Sequence, residues 1–362
     1  MRWNPWRKGK PSAIPHRAYH ALQSVEEDDA LWRPLQGSPT ARPWDAVRDT
    51  LKRAASLSRT NPLAARLVQM TGDFVIGQGA NLEGPPFAYA FWEHPQNRLE
   101  ARLYRWCEEL ARSGELFIVL SRNAVDGMSY LREIPALQID RIETAEEDYE
   151  RELRYHQMTD SLEGRWWPSP YAPGAEEADQ VMLHYAINRP VGEVRGVSDL
   201  APILTWLERY DFWLEDRVRI NRYKGAYLWQ VKVENALPGQ LEAKRAQYSR
   251  PPRSGSIIVT DGNETWTAVQ PQIGADDVEA DGKALRLMIA AGAGVPLHFL
   301  AEGEGTNRAT AREMGVATYR HFAHRQRQFA WIVEDVIRWA ARRAGEGEIA
   351  VRVTFEPVPE VA

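Results

Sequence analysis

The segment VMLHYAINRPVGEVRGVSDLAPIL, residues 181–204, decides the fold of this chain. Apolar residues dominate 181–185, which predicts a strand, and the prolines and glycines that follow mark a turn. Ser198 and Asp199 then suit the start of a helix, because a serine side chain caps free N–H groups and a carboxylate favours the positive helix end. The sequence therefore predicts a strand and a turn that lead into a long helix ending at about Lys224.

This helix carries two apolar stripes at helical spacing. The first consists of Leu200, Ile203, Leu204, Leu207, Leu214 and Val218. The second consists of Trp206, Tyr210 and Trp213. A surface helix of an isolated domain needs only one apolar stripe. We therefore expect this helix to be covered on two sides, by its own domain and by a neighbouring subunit.

Upstream of the segment, helix and strand patterns alternate, so region 60–195 is predicted to be mixed α+β. Residues 1–45 are rich in proline and predict an arm with a short helical piece at 16–28. Helices are predicted from Pro43, from Asn61-Pro62 to near Gly72, and over 97–111. Strands are predicted at 74–76, 116–120, 129–134, 137–142, 152–157 and 181–185.

Downstream, residues 225–273 change to strand and turn chemistry. The expected elements are a strand at 227–233, a helix at 238–248, and strands at 256–260 and 265–269 around the hairpin signal Asp261-Gly262-Asn263. Further elements are a helix at 275–292, a loop at 297–306, a helix at 307–343 and a strand at 349–355. The last helix would approach 55 Å if unbroken, at about 1.5 Å per residue, so we expect a kink near Gly315 or an extended assembly.

Composition limits the class of protein. The chain has 362 residues, 44% of them hydrophobic and 26% charged, as in soluble globular proteins. The formal net charge of -5 argues against a tight hold on nucleic acid and favours DNA that slides past. Cys107 is the single cysteine, which fits a reducing compartment. The longest apolar stretch, 287–301, is too short and too interrupted for a membrane span of roughly 20 residues.

A search for catalytic or ligand-binding motifs finds structural explanations instead. Gly77-Gln78-Gly79 lacks the third glycine of a dinucleotide site, and no P-loop occurs. Ser198 suits a helix cap better than a nucleophile elbow, because Leu200 stands where that motif needs glycine. His321 and His324 share a helix face without a further metal ligand. We therefore expect no enzyme activity, no cofactor and no metal. Cys107 is interpreted as core, and the acidic run 276–281 as a helix start with a solvated face.

Basic residues gather in the two longest predicted helices. The first helix has Arg217, Arg219, Arg222 and Lys224. The last helix has Arg308, Arg312, Arg320, Arg325, Arg327, Arg338, Arg342 and Arg343. Cations near a helix C-terminus favour the helix dipole, so capping and nucleic-acid contact are both open explanations. Contact of this kind would be non-specific, since it would involve phosphates and no base edges.

The order of these pieces, from about residue 45 to 356, resembles that of tailed-bacteriophage portal proteins. The similar segments are GDFVIGQG (72–79), ARSGELFIVL (111–120), the quoted 181–204, AGVPLHFLAEGEGTNRATAREM (293–314) and VRVTFEP (351–357). The resemblance implies an α+β portal fold. Its parts would be an N-terminal arm (1–45), a wing (46–197), stem helices (198–224 and 274–293), a clip (225–273), a tunnel loop (294–306), a long helix (307–345) and a wing strand with tail (346–362). The family usually continues past 351–357 into crown helices, whereas this sequence stops at Ala362, so a short or absent crown is expected.

The resemblance implies a passive channel for DNA. The subunits would form a ring, usually of 12 copies, at one capsid vertex of a virion made in the host cytoplasm. Double-stranded DNA would pass the tunnel-loop residues Ala301, Glu302, Gly303, Glu304, Gly305, Thr306 and Asn307. The basic stem residues named above are a further candidate channel lining. The clip, with Arg250, Arg253, Asp261 and Asn263, would meet the partners. The implied partners are the terminase ATPase motor, a head–tail adaptor, and the major capsid and scaffolding proteins, with no membrane.

Two other classes of protein are weighed against this one. A phage connector or adaptor would share the aromatic interfaces but needs no paired helices around an α/β insertion. A nucleic-acid-processing enzyme would require a carboxylate or His/Cys constellation, which the sequence does not show.

Overall fold

The computed structural model describes residues 42–161, 163–225, 228–234, 239–248, 259, 262–269, 278–300 and 308–358. Its helices are α1 (Trp44–Thr60), α2 (Pro62–Val75), α3 (Pro86–Glu93), α4 (Leu99–Ser113), α5 (Leu204–Gly225), α6 (Gln240–Gln247), α7 (Val278–Ala293) and α8 (Arg308–Ala344). Its strands are β1 (Ala80–Glu83), β2 (Glu115–Arg122), β3 (Ser129–Ile134), β4 (Ile139–Ala145), β5 (Asp148–Gln157), β6 (Arg165–Pro168), β7 (Gln180–Ala186), β8 (Leu228–Val233), β9 (Glu264–Val269) and β10 (Arg352–Phe355). The mixed α+β prediction is confirmed.

Helices α1 and α2 form a helical hairpin with a sharp corner. Asn61 caps α2, because its Oδ1 accepts hydrogen bonds from the N–H groups of Leu63 (2.9 Å) and Ala64 (3.0 Å), and Pro62 occupies the first turn. The predicted helix start is therefore confirmed. The predicted strand at 74–76 is wrong, since α2 continues to Val75 and packs its apolar residues into the core.

An antiparallel sheet lies at the centre of the first half of the chain. Strand β2 pairs with β3 on one side and with β7 on the other. Its residues Leu116 to Leu120 are all buried, as expected for a strand covered on both faces. The predicted bounds of β3 are confirmed, whereas β2 and β7 each extend one or two residues further than predicted.

A second antiparallel sheet has the order β4-β5-β6 and packs beside the first. Strand β4 begins after a short 3-10 turn at Ala136–Gln138, two residues later than predicted. Strand β6 was not predicted, because it has only four residues. Strand β10 pairs antiparallel with β1, another short strand that the sequence did not reveal, so residues 352–355 return to the N-terminal half.

Two apolar clusters hold these layers together. The larger includes Trp106 and Cys107 of α4, Ile118 of β2, and Val333 and Ile337 of α8. The smaller packs the other face of β2 against the second sheet. Cys107 is 2% exposed, and burial raises the pKa of its thiol, which confirms the core interpretation. Helix α8 continues through Gly315 over 37 residues, so the helix is not interrupted there, and the expected kink stays a prediction.

The α/β insertion between α5 and α7 is a small unit of its own. Strand β8 pairs antiparallel with β9, and α6 follows β8 as predicted. The predicted strand at 256–260 lies outside the described residues except for Val259, which is not in a strand. The arm up to residue 41, the acidic pair Asp276 and Asp277, and the tail from residue 359 also lie outside the described residues.

Candidate functional site: the paired helices and the joint at their base

Helices α5 and α7 lie antiparallel at close range, and glycines allow the approach. A Cβ atom on Gly292 would lie 2.4 Å from Cγ2 of Ile203, and one on Gly282 would lie 2.5 Å from Cη2 of Trp213. Ile203, immediately before α5, contacts the end of α7, whereas Trp213, further along α5, contacts the start of α7. The two helices are therefore antiparallel. The α/β insertion therefore lies at the far end of the pair.

The two helices are buried at their base, which we define as the start of α5 and the end of α7, and are more exposed toward the α/β insertion. Leu207 is fully buried, whereas Phe212, Leu214 and Val218 are 66%, 41% and 52% exposed. Two residues of a helix that are two positions apart point about 200° away from each other, so Phe212 and Leu214 lie on opposite sides of α5. The predicted apolar stripe is therefore covered by its own domain only in its first half.

Helix α7 repeats this arrangement. Ile289 and Ala290 are buried, whereas Leu287 and Met288 are 48% and 45% exposed. Together with the far half of α5, they leave an apolar surface that the described part of the chain does not cover. We call the exposed side chains of Phe212, Leu214, Val218, Leu287 and Met288 the stem surface.

Three of the predicted basic residues of α5 have described side chains. Arg217 is half-buried and Arg222 is exposed. Arg219 lies 3.5 Å from Glu215 and 3.4 Å from Asp216, so its charge is offset within the same helix. The side chain of Lys224 lies outside the described residues. A role of these residues in contact with DNA stays a prediction.

The predicted tunnel-loop residues, Ala301 to Asn307, lie outside the described residues. The structure describes their flanks, which are a short 3-10 turn at Leu297–Leu300 and the start of α8. Among the predicted clip contacts, Asn263 is exposed in the turn before β9. Arg250, Arg253 and Asp261 lie outside the described residues.

A joint connects β7 to α5, and we define it as residues 187–203. The helix predicted from Ser198 begins later, at Leu204, after a 3-10 turn at Ala201–Ile203. Ser198 still acts as a local cap, because its Oγ accepts a hydrogen bond from the N–H of Leu200 at 3.0 Å. Pro202 lies in the 3-10 turn.

Two glycines bring the joint against the end of α4. Gly114 ends α4 with φ of 78°, a left-handed conformation that favours glycine. A Cβ on Gly114 would lie 2.4 Å from the carbonyl carbon of Val197, and one on Gly196 would lie 2.1 Å from the oxygen of Gly114. Larger side chains would therefore push the two backbones apart. The N–H of Ile187 also donates to that same oxygen at 2.9 Å.

This close approach forms a buried charge cluster. Arg195 donates from Nη2 to Oε2 of Glu115 at 2.6 Å and from Nε to Oε1 at 3.0 Å. The N–H of Gly196 donates to the same Oε1 at 3.0 Å. On the other side, Nδ1 of His184 lies 2.9 Å from both oxygens of Glu152, and its Nε2 lies 3.5 Å from Glu115. His184, Glu115, Arg195 and Glu152 thus hold β2, β5, β7 and the joint together.

The charges in this cluster stabilise one another. Burial alone would raise the pKa of Glu115, but Arg195 and His184 lower it to about 2. Burial alone would lower the pKa of His184, but Glu152 and Glu115 raise it to about 9. Glu115 and His184 are therefore both charged at neutral pH, and the ring of His184 stacks on Phe117 with ring centres 4.3 Å apart.

A second set of contacts ties α8 to the joint. Arg325 donates from Nη2 to Asp199 at 2.9 Å and to Oδ1 of Asn188 at 3.2 Å. Asn188 itself adopts a left-handed φ of 50° and donates to Asp199 at 2.6 Å. Thr318 donates to the carbonyl of Gly294 at 3.0 Å, which joins α8 to the end of α7. The base of the helix pair is therefore fixed from two sides.

The start of the described chain is fastened to the same joint. Arg42 donates to Glu193 at 2.9 Å and to the carbonyl of Gly196 at 2.9 Å. The guanidinium of Arg195 lies 5.0 Å from the ring centre of Trp44, a cation–π contact. The sequence did not predict these roles. For the contact between Glu115 and Arg195, the available signal is that each charged residue lies beside a glycine, Gly114 or Gly196, which allows close backbone approach.

The residues weighed for catalysis and metal binding are not brought together. His321 lies near Arg325, and burial and that neighbouring charge lower its pKa. Among the described residues, no group of three or more His, Cys, Asp or Glu side chains could hold a metal ion. None of the described helices has the length and apolar content to cross a membrane.

Solved particles contain chains of the same fold. A chain of the virion of the native gene transfer agent (GTA) particle matches with a TM-score of 0.61 at 15% identity, over 90% of this chain and 88% of that chain. A chain from the neck of the empty GTA particle matches with a TM-score of 0.59 at 14% identity, over 85% and 86%. A phage portal protein of the HK97 family from Corynebacterium diphtheriae matches at 12% identity over 83% of this chain and 95% of that chain, with a TM-score of 0.43, which is too low to indicate a shared fold.

Likeness at these identities concerns the fold alone. The chain shares the fold of these neck and virion chains, and its predicted α+β class is confirmed. No family model and no curated protein matches the chain.

Proposed function

We propose that this chain is the repeating subunit of a portal ring, the channel through which DNA enters and leaves a phage-like capsid. The observation that carries the proposal is the stem surface, which leaves apolar side chains exposed on opposite sides of α5. An exposed apolar surface of this kind is typical of protein–protein contacts. Chains of this fold occur in a particle neck and in a virion, which also supports a role in such a particle.

Opposite apolar sides favour a ring over a two-fold dimer. In a dimer the same patch meets itself, whereas in a ring each copy presents one face to the preceding copy and a different face to the next. Phe212 would lie on one of these faces, and Leu214 with Val218 on the other. Twelve copies are expected from the family, and the ring would be a component of the virion.

The remaining parts have proposed roles in the same assembly. Helices α5 and α7 would be the stem, and β8, α6 and β9 would belong to the clip, which would meet the terminase motor and later the head–tail adaptor. The segment 46–197 would be the wing, beside the major capsid and scaffolding proteins. Residues 301–307 would face the DNA. Energy for movement would come from the motor, so this subunit would have no catalytic turnover.

A weak hold on DNA suits a channel. The net charge of the chain is -5, and Arg219 is already paired within α5. Arg217 and Arg222 would add sparse, non-specific attraction to phosphates. Strong basic rings would instead lower the free energy of bound DNA and stall it.

Ring assembly can be tested on each face separately. Phe212→Ser and Val218→Ser each remove apolar area from one side of α5. Val125→Ser is the control, because Val125 is 94% exposed and lies in the turn between β2 and β3, outside both helices. We expect the wild type and the control to form annular particles in electron micrographs and a large species in sedimentation. Each stem variant should shift toward monomers at the same protein concentration. A wild type that stays monomeric at all concentrations contradicts the proposal.

DNA passage needs a further test, because a head–tail adaptor would also form a ring. Lengthening 302–306 or adding charge there should reduce DNA packaging or retention while rings still form. Normal packaging by such variants would contradict the tunnel-loop assignment and favour the adaptor.

A further inference from the structure

A cavity of about 460 Å³ lies at the C-terminal end of α8, where it meets the segment after β6. Its lining includes Arg122, Pro170, Glu176, Trp339, Arg342 and Arg343. Because α8 is one unbroken helix, this end lies about 54 Å from Arg308, at about 1.5 Å per residue. The cavity is therefore remote from the proposed tunnel loop and from the stem surface.

Arg343 is buried in the cavity wall without an acidic partner. It is 9% exposed, and its Nη2 donates to the carbonyls of Ala178 at 2.7 Å and Asp179 at 3.0 Å. Its Nε is buried and has no hydrogen-bond partner among the described residues. No carboxylate of the described chain lies within 4.0 Å of its guanidinium. A buried charge without a counter-ion is costly, which indicates that a charged partner completes the site.

A second arginine adds to this positive charge. Arg122 lies at the end of β2 and also lines the cavity. No carboxylate of the described chain lies within 4.0 Å of it. Burial lowers the pKa of Arg343, and the neighbouring Arg122 lowers it further, so the two charges repel each other, while the exposed carboxylate of Asp179 offsets only part of this effect.

The other charged groups around the cavity already have a partner or lie in water. Arg342 pairs with Glu348, and its guanidinium lies 4.7 Å from the ring centre of Trp339. Glu176 is exposed. Two of the last four carbonyls of α8, those of Ala341 and Arg342, accept hydrogen bonds from the N–H groups of residues 346 and 345. Glu176 and Glu348 also line the cavity, so the guanidiniums left there without an ion pair are those of Arg122 and Arg343.

We propose that this cavity binds a phosphate group, held by Arg122 and Arg343. Two guanidiniums offer donors in a planar fork that matches a tetrahedral oxyanion, and a phosphate dianion balances both positive charges. A carboxylate would balance only one of them. The phosphate comes either from free inorganic phosphate or from the backbone of a nucleic acid, and the experiment below separates these sources.

The binding is testable by isothermal titration calorimetry on the full chain, with inorganic phosphate as the probe at constant ionic strength and mildly alkaline pH. Arg122→Gln removes one cation at a partly exposed strand end, and Arg151→Gln, on the exposed part of β5, is the matched control. We expect saturable binding to the wild type and the control, and binding roughly tenfold weaker or lost in Arg122→Gln, which corresponds to about 1.4 kcal/mol or more.

A short DNA duplex added as competitor identifies the source. If the duplex displaces phosphate from the wild type, the natural ligand is a nucleic-acid phosphate, and if it does not, the site takes free phosphate. The proposal is overturned if the wild type shows no saturable binding, or if Arg122→Gln binds as the wild type does. Unfolding curves without phosphate confirm that the variant is folded, and ring formation by Arg122→Gln shows that a failure here leaves the portal proposal intact.

Discussion

The substitution Glu115→Gln tests whether the buried charge cluster stabilises the joint. It keeps the shape of the side chain and removes its charge. Glu115 accepts hydrogen bonds from Arg195 at 2.6 and 3.0 Å and from the N–H of Gly196 at 3.0 Å, and it is 1% exposed. The amide has one acceptor oxygen where the carboxylate has two, so at least one charge-assisted bond is lost, and Arg195 keeps a buried charge without its counter-ion.

The size of the effect follows from burial. Removal of one partner from a buried ion pair typically destabilises a protein by about 3–5 kcal/mol. His184 can release its proton when Glu115 is neutral, which relieves part of the excess positive charge. We therefore expect a loss of about 3 kcal/mol in the free energy of unfolding, which lowers Tm by roughly 4 °C for a chain of this length.

Urea denaturation followed by tryptophan fluorescence measures this loss. The matched control is Glu143→Gln, because Glu143 also pairs with an arginine, Arg154, but the two side chains are 43% and 52% exposed. Exposed pairs of this kind contribute about 1 kcal/mol or less. If Glu115→Gln destabilises the protein no more than Glu143→Gln does, the stabilising role of the cluster is refuted.

Two further substitutions examine the same joint. His184 has a pKa of about 9 in the folded protein against 6.5 in an unfolded chain, so its contribution to stability is complete below pH 6.5 and is lost as the pH rises from 6.5 to 9. The urea midpoint of the wild type should fall in that window and that of His184→Gln should fall less, and equal slopes would speak against the assignment. Gly196→Ala places a Cβ 2.1 Å from the oxygen of Gly114 and should destabilise by about 3 kcal/mol or more, whereas Gly262→Ala, with open space around its Cβ, should change the midpoint little. Equal midpoints for the two alanine variants would show that the backbones at 114 and 196 can separate.

Local sequence signals predicted much of the fold. Asn61-Pro62 marked the start of α2, and the bounds of β3 were predicted without error, because a cap and a period of two are visible in a few neighbouring residues. The apolar run at 74–76 was wrongly predicted as a strand, because over three residues a buried helix and a buried strand have the same composition. Tertiary packing decided that case.

The candidate site was predicted only in outline. The two helices followed from periodicity, and their pairing around an insertion from the resemblance to portal proteins. The cluster at the joint depends instead on contacts between Glu115 and Arg195, which are 80 positions apart. No local pattern encodes such a contact. The close backbone approach of Gly114 and Gly196, which brings these charges together, becomes visible only when both segments are folded.

Helix α8 is one continuous helix of 37 residues, and its first part, from Arg308, lies before the contact at Arg325. Arg325 fastens it to the joint, and Arg343 fastens its far end to the segment after β6. Arg308 lies 17 residues before Arg325, about 26 Å along the axis. Because these two contacts hold α8 from Arg325 onward, a bend of about 5° at Arg325 would move only the Arg308 end, by about 2 Å.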